Sequence, residues 1–163
     1  MEDKSRLLIV EDDVDIRELL KHFLKDCADE VVEASDGAMA LEFVKQGEFD
    51  TILSDIEMPT MNGLKFLAYL RSLGQMTPFV VLTAHGDHNR ALEALSLGAF
   101  DFITKDSKKK IVIESVQAAL KIGREMKQSK NDPVLANQLR KIYSEMAKSS
   151  ELRLRKIISE MTT

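Results

Sequence analysis

The sequence predicts an α/β fold in which helices cover both faces of one parallel sheet. Five short strand-like runs recur between residues 6 and 104, and each interval between them leaves room for one helix. The best runs are continuously apolar rather than alternating, which is typical of strands that are buried on both sides. Acidic residues follow two of these runs directly. The predicted architecture is therefore a three-layer sandwich with a charged edge.

The strands and helices can be placed in order along the chain. The predicted strands cover residues 6–10, 30–34, 50–54, 79–83 and 100–104. Apolar residues at helical spacing fill the intervals and continue after the last strand. Right-handed crossovers then give the sheet order 2-1-3-4-5, the flavodoxin-like (βα)5 topology. In this topology a crevice opens where strands 1 and 3 diverge, and Asp12, Asp13 and Asp55 fall there.

The end of the sequence departs from this alternation. Residues 1–127 are predicted to form the α/β domain, and the polar stretch 128–133, which ends in Pro133, indicates a linker. Residues 134–163 form a helical extension that is too short for a winged-helix or helix-turn-helix output domain. Its apolar residues alternate in steps of four and three and are expected to be interrupted at residues 148–150. The extension could dimerise, dock on a partner or fold back on its own domain.

Composition limits the classes of protein. At 163 residues and 44% hydrophobic content, the chain has enough material for one buried domain and an appendage. Cys27 is the single cysteine, so no intrachain disulfide is expected, which favours a reducing cytoplasm. No apolar segment approaches the length of a membrane span. Residues 1–128 carry 16 basic and 23 acidic side chains, and residues 129–163 carry seven and four, which is not the basic cluster typical of a nucleic-acid binder.

Chemically distinctive side chains follow four of the predicted strands. Asp12 and Asp13 come after the first, Asp55 comes directly after the third, Thr83 ends the fourth and Lys105 follows the fifth. An acid pair alone is also typical of the first turn of a helix, where it caps free N–H groups. The convergence of all these groups in one crevice instead indicates a site, because crowded carboxylates favour a bound cation or a basic partner.

This order of groups resembles the phosphoacceptor site of bacterial response-regulator receiver domains, of the kind found in chemotaxis regulators, and the resemblance extends from residue 5 to about 127. It implies that Asp55 accepts a phosphoryl group from a sensor histidine kinase, a phosphotransfer protein or a small acyl phosphate. It also implies that Mg2+ is bound directly by Asp13, Asp55 and the backbone carbonyl of Glu57. Asp12 would act mostly through a bound water.

The resemblance implies further roles around Asp55. Lys105 would pair with a phosphoryl oxygen, and Thr83 would turn its hydroxyl toward the phosphoryl group beside the Ala84 N–H. Phe102 occupies the position of the family's switch aromatic. The surface that reads out its movement would be helix 4, strand 5 and helix 5.

Other positions modify this expectation. Asp106 stands where the family usually has proline, so the peptide after Lys105 is expected to be trans, and Asp106 could compete for the Lys105 ammonium. Glu57 and His85, two residues after Asp55 and Thr83, occupy positions that influence the lifetime of the aspartyl phosphate in this family.

The sequence thus predicts a cytoplasmic response regulator of a two-component phosphorelay that signals through protein contacts. We expect no binding of nucleic acid or membrane and no enzyme activity beyond phosphorylation and dephosphorylation of the chain itself. The downstream partner is unknown, and a homodimer through the C-terminal helix or the helix 4, strand 5 and helix 5 face remains open. One alternative is a phosphorylation-independent scaffold or dimerisation module. Another is a haloacid-dehalogenase-like phosphatase, suggested by Asp55-Ile56-Glu57, although that pattern lies on the third strand here rather than the first.

Overall fold

Five parallel strands alternate with helices in a computed structural model that describes residues 3–84 and 87–163. The strands are β1 (Arg6–Val10), β2 (Glu30–Ala34), β3 (Thr51–Asp55), β4 (Phe79–Thr83) and β5 (Asp101–Thr104). The helices are α1 (Val14–Leu24), α2 (Gly37–Gln46), α3 (Gly63–Ser72), α4 (His88–Ser96), α5 (Lys109–Gln128) and α6 (Pro133–Met161). His85, one of the positions predicted to influence phosphate lifetime, lies outside the described residues.

The sheet has the order β2-β1-β3-β4-β5, which confirms the predicted flavodoxin-like topology. All neighbouring strands pair in parallel. β1, β3 and β4 lie in the middle of the sheet and are almost wholly buried, which explains their continuous apolar runs. The carboxyl ends of these three strands meet at one edge.

Alternate residues of each strand point to two separate apolar layers. Leu8, Ile52 and Val81 pack with α2, α3 and α4 on one face of the sheet. Leu7 and Leu53 pack with α1 and α5 on the other. Both layers consist mainly of buried side chains, and the sheet between them carries the loops at its carboxyl edge.

The last helix, α6, is continuous from Pro133 to Met161, so the predicted interruption at residues 148–150 is wrong. Ser150 does not break the helix because its side chain is buried against the domain, where its Oγ donates to the carbonyl of Phe100 at 3.2 Å. The helix folds back onto α4, β5 and α5, which is one of the three arrangements left open by the sequence. Within residues 3–84 and 87–163, none of the helices combines the length and the apolar character needed to cross a bilayer.

Candidate functional site

The register between β1 and β3 places two carboxylates side by side. Val10 lies opposite Ser54, so the next residue of each strand, Glu11 and Asp55, meet at the carboxyl edge of the sheet. Both residues are buried, with 0% and 2% of their surface exposed. Burying two carboxylates together is costly unless a cation balances them.

A third carboxylate completes an acidic cluster. Ligand oxygens of Glu11, Asp12 and Asp55 all lie within 4.8 Å of one another. Asp12 is exposed and forms the open side of the cluster, whereas Glu11 and Asp55 form its floor. We define these three residues as the acidic cluster.

Asp13, which the sequence placed among the metal ligands, lies outside the acidic cluster. Its Oδ1 accepts hydrogen bonds from the backbone N–H groups of Asp15, at 2.9 Å, and Ile16, at 3.1 Å. Asp13 is therefore the N-cap of α1, where its negative charge also interacts favourably with the positive end of the helix dipole. The acids that lie with Asp55 at this edge are Glu11 and Asp12, whereas the sequence prediction named Asp12 and Asp13.

The strand register indicates which acid lies beside Asp55. Side chains at the end of a parallel strand lie beside those at the end of its neighbour, so the acid directly after the apolar run is the one that faces Asp55. Counting from the last apolar residue, Val10, leads to Glu11. The sequence prediction instead chose the two aspartates, although a capping role for such acids was already open.

Lys105 provides the balancing charge within the chain. Its Nζ lies 2.8 Å from Asp55 Oδ2 and 3.3 Å from Glu11 Oε1. The other oxygen of Asp55, Oδ1, accepts a hydrogen bond from the Ile56 N–H at 2.8 Å. Two buried carboxylates thus share one ammonium group and Asp12 lies beside them, which leaves an excess of negative charge in the crevice.

The pKa values of these groups reflect that excess. Burial, together with the charge of Asp55, raises the pKa of Glu11 to about 7. Burial also raises the pKa of Asp55, although the hydrogen bond and charge of Lys105 act against it. Burial alone would lower the pKa of the Lys105 ammonium, but its hydrogen bond to Asp55 and the charges of Asp55 and Glu11 outweigh burial and raise it.

Thr83 and Ala84 lie beside Asp55 on the next strand. Asp55 pairs with Leu82, so Thr83 is one residue further toward the crevice. Thr83 is fully buried, and its Oγ1 has no hydrogen-bond partner among the described residues. Its backbone carbonyl accepts from the Lys105 N–H at 2.8 Å, which ties β4 to the loop that carries the lysine.

Phe102 lies on β5 and is 6% exposed. Its ring faces α6, where the guanidinium carbon of Arg153 lies 4.6 Å from the ring centroid. Phe102 therefore lies beneath the C-terminal helix. The inward movement of Phe102 as a switch stays a prediction.

Glu57 and Asp106 are not members of the acidic cluster. The Glu57 carboxylate is largely exposed and pairs with Arg90 of α4. Asp106 is exposed, the peptide bond before it is trans, and Lys105 pairs with Asp55 and Glu11 instead. Because the acidic cluster does not include Glu57, the geometry does not reproduce the paired acids of the phosphatase alternative.

The loop after Asp55 depends on a close approach at Gly63. The Gly63 N–H donates to the Ile56 carbonyl at 2.8 Å, and a Cβ at this position would lie 2.1 Å from the Asp55 carbonyl oxygen. Only glycine allows α3 to begin this near the acceptor strand. The turn predicted before Gly63 therefore also holds the backbone of Asp55 in place.

The acidic cluster fits a hard divalent cation. It offers only oxygen ligands, and Glu11 Oε2 is buried without a hydrogen-bond partner among the described residues. Mg2+ prefers oxygen ligands and needs few carboxylates because it keeps several waters. Such an ion would satisfy the unpartnered oxygen and offset the repulsion between the three acids.

Comparison with known proteins agrees with this geometry. A family model described as the response regulator receiver domain matches residues 7–117. The transcriptional regulatory protein SrrA of Staphylococcus aureus is 36% identical over 117 residues, which cover 72% of this chain and 48% of SrrA. The chain thus spans about half the length of the curated relatives it matches.

Solved structures give the same result. The chemotaxis response regulator CheY4 of Vibrio cholerae is 30% identical with a TM-score of 0.65, over 72% of this chain and 99% of CheY4. The receiver domain of NtrX from Brucella abortus is 31% identical with a TM-score of 0.67, over 71% and 98% of the two chains. The chain belongs to the response regulator receiver family and is a signalling receiver of the two-component type.

Proposed function

We propose that this receiver accepts a phosphoryl group on Asp55 in an Mg2+-dependent reaction. The donor would be a sensor histidine kinase or a phosphotransfer protein, with small acyl phosphates as substitutes. The observation that supports this proposal is the position of Asp55, a buried carboxylate at a strand end between Lys105 and the other two acids of the cluster. The Asp55 carboxylate, the Lys105 ammonium group and the carboxylates that could bind a metal ion therefore all lie near the position that a phosphoryl group on Asp55 would take.

The transfer needs no general base, because Asp55 attacks as a carboxylate. An Asp55 oxygen forms a bond to phosphorus while the bond between phosphorus and the donor histidine nitrogen breaks, and that nitrogen keeps the electron pair and takes a proton. Lys105 would pair with one phosphoryl oxygen. The Thr83 hydroxyl and the Ala84 N–H would donate to others, and Thr83 Oγ1 is buried without a hydrogen-bond partner among residues 3–84 and 87–163.

The residues that would hold Mg2+ are those of the acidic cluster, Glu11, Asp12 and Asp55, together with the backbone carbonyl of Glu57. Glu11 takes the place first predicted for Asp13. Bound there, the ion would neutralise charge that develops on the phosphoryl oxygens during transfer.

Output would pass through protein contacts. We infer that residues 1–127 act as the receiver and that 134–163 are an extension rather than a DNA-binding domain. This is supported by the single helix α6 in that region. Of the predicted linker 128–133, residues 129–132 lie between α5 and α6 and would serve as the linker. The cytoplasm is the proposed location, and the proposed downstream partner is a protein.

Intact-mass measurement after incubation with acetyl phosphate and Mg2+ tests the acceptor. The wild-type chain should gain the mass of one phosphoryl group, and Asp55→Asn should gain none. Two further variants test the ligand set by Mg2+ titration. Glu11→Gln should weaken Mg2+ binding about tenfold or more, whereas Asp13→Asn, which keeps the N-cap, should bind as the wild type does.

Phosphorylation that persists in Asp55→Asn would refute the assignment of the acceptor. A larger loss of Mg2+ affinity in Asp13→Asn than in Glu11→Gln would restore the first prediction of the ligands. Absence of both Mg2+ and beryllofluoride binding would favour the phosphorylation-independent scaffold. Turnover of a free phosphate ester would instead support the phosphatase alternative.

A further inference from the structure

The C-terminal helix lies along the strand that carries the site lysine. β5 is the last strand of the sheet, and α6 packs across it and against α4 and α5. The contact buries Leu139, Tyr143, Ser150 and Leu154, each 5% exposed or less. Because Leu154 joins one apolar layer and Tyr143 the other, α6 closes the sandwich at this edge.

Polar contacts from α6 follow β5 and the turn before it residue by residue. The Tyr143 hydroxyl donates to the Gly98 carbonyl at 2.6 Å, and Ser150 Oγ donates to the Phe100 carbonyl. Arg153 reaches furthest toward the site. Its Nη2 lies 2.6 Å from Asp101 Oδ1, and its guanidinium group covers the ring of Phe102. These contacts specify one position of β5 relative to α6.

The other end of the same strand is held by the acidic cluster. Lys105 is three residues beyond Phe102, and its Nζ is 2.8 Å from Asp55. A phosphoryl group on Asp55 Oδ2 would occupy the space in which Lys105 Nζ now contacts that oxygen, so the ammonium group would move outward to pair with a phosphoryl oxygen. The backbone N–H of Lys105 donates a hydrogen bond to the Thr83 carbonyl. A shift of Lys105 therefore affects the ends of β4 and β5 together.

We propose that α6 is an autoinhibitory element whose docking on α4, β5 and α5 is coupled through β5 to the state of Asp55. This inference rests on the proposed function. Phosphorylation displaces Lys105, the end of β5 shifts, and the contacts of Arg153 with Asp101 and Phe102 no longer fit. The phosphorylated chain holds α6 less tightly and uncovers the apolar face beneath it. Coupling between two sites is reciprocal, so weaker docking of α6 must favour phosphorylation by the same factor.

The chain provides a matched pair of variants for the test. Arg153→Ala removes the ion pair with Asp101 and the contact with Phe102. Arg155→Ala is the control, because Arg155 lies on the same helix, is similarly exposed and pairs with Glu151 of α6 itself. Both changes remove one positive charge from the same turn of α6, so a difference between them reports the contact with β5.

The measurement is amide hydrogen exchange of α6 in the full chain with Mg2+, with and without beryllofluoride, combined with beryllofluoride titration of each variant. We expect beryllofluoride to speed exchange between residues 139 and 154 about fivefold or more. Arg153→Ala should bind beryllofluoride about two to five times more tightly than the wild type, and Arg155→Ala should not differ from it.

Two results would overturn the proposal while leaving Asp55 as the acceptor. In one, beryllofluoride binds but exchange in α6 is unchanged or slower. In the other, Arg153→Ala and Arg155→Ala bind it equally well. If the wild-type chain binds Mg2+ but no beryllofluoride, the proposed function itself fails, and the coupling fails with it.

Discussion

At the scale of single residues, Glu11 is the most informative side chain in this protein. It is fully buried, shares Lys105 with Asp55 and keeps one oxygen without a partner among the described residues. A residue that served only stability would be better replaced by an amide or an apolar side chain at this position. The unfavourable burial of its charge is understandable if the site is built to hold a cation.

This burial predicts a specific pH dependence. The pKa of Glu11 is raised from 4.5 to about 7, mainly by burial, so the folded protein binds this proton more tightly than the unfolded chain does. In the metal-free protein, the free energy of unfolding should therefore fall as the pH rises through that window. Mg2+ needs the ionised form, so its affinity should rise over the same range.

Urea unfolding without Mg2+, and Mg2+ titration, at about pH 5 and about pH 8 would measure both trends. Glu11→Gln should reduce the pH dependence of both the free energy of unfolding and the Mg2+ affinity. Some pH dependence of the free energy of unfolding should remain, because burial raises the pKa of Asp55 as well. Equal pH dependence in the wild type and in Glu11→Gln would show that Glu11 does not titrate in this window.

At the scale of elements, α6 shows how a helix of mixed polarity is held by a few buried positions. Leu154 is completely buried among residues of the sheet and α4, whereas Leu152, two residues earlier, is 68% exposed. The periodicity of leucine alone does not distinguish them. Only one side of α6 meets the receiver, so the two leucines contribute very different amounts of buried apolar area.

A pair of substitutions tests this docking. Leu154→Ala should weaken the docking of α6 by about 2 to 4 kcal/mol, because it removes a buried side chain and leaves a cavity. Leu152→Ala should change stability by less than about 0.5 kcal/mol. Amide hydrogen exchange in α6 together with urea unfolding gives both values. Similar effects from the two variants would mean that α6 does not pack on the receiver through the Leu154 side.

At the scale of the whole molecule, α6 occupies the face that the sequence suggested for dimerisation. The same helix cannot cover its own receiver and pair with a second copy through the same buried side chains. The unphosphorylated chain should therefore be a monomer in solution. Light scattering at micromolar concentration checks this. A dimer in the absence of phosphorylation would show instead that exposed side chains of α6, such as Ile142 and Leu152, form a separate interface.

The sheet topology and the strand-end positions of the site residues follow from the sequence alone, because they depend on short stretches of neighbouring residues. Continuous apolar runs at helix-length intervals determine a parallel sheet, and right-handed crossovers determine its order. Asp55, Thr83 and Lys105 could be placed at one edge because each comes directly at or after a strand end. Their approach in space needs no knowledge of side-chain contacts.

Two features came from the tertiary structure: which acid lies beside Asp55, and the position of α6. Both depend on what lies opposite a residue rather than on its neighbours in the chain. The pairing of Val10 with Ser54 brings Glu11 to Asp55, while the start of α1 takes Asp13 as its cap. Ser150 lies within a continuous helix, and its hydroxyl is at hydrogen-bond distance from the carbonyl of Phe100, the residue before β5, and from that of Met146 one turn earlier in α6. A sequence lists which groups are available, but long-range packing selects the partner that each of them meets.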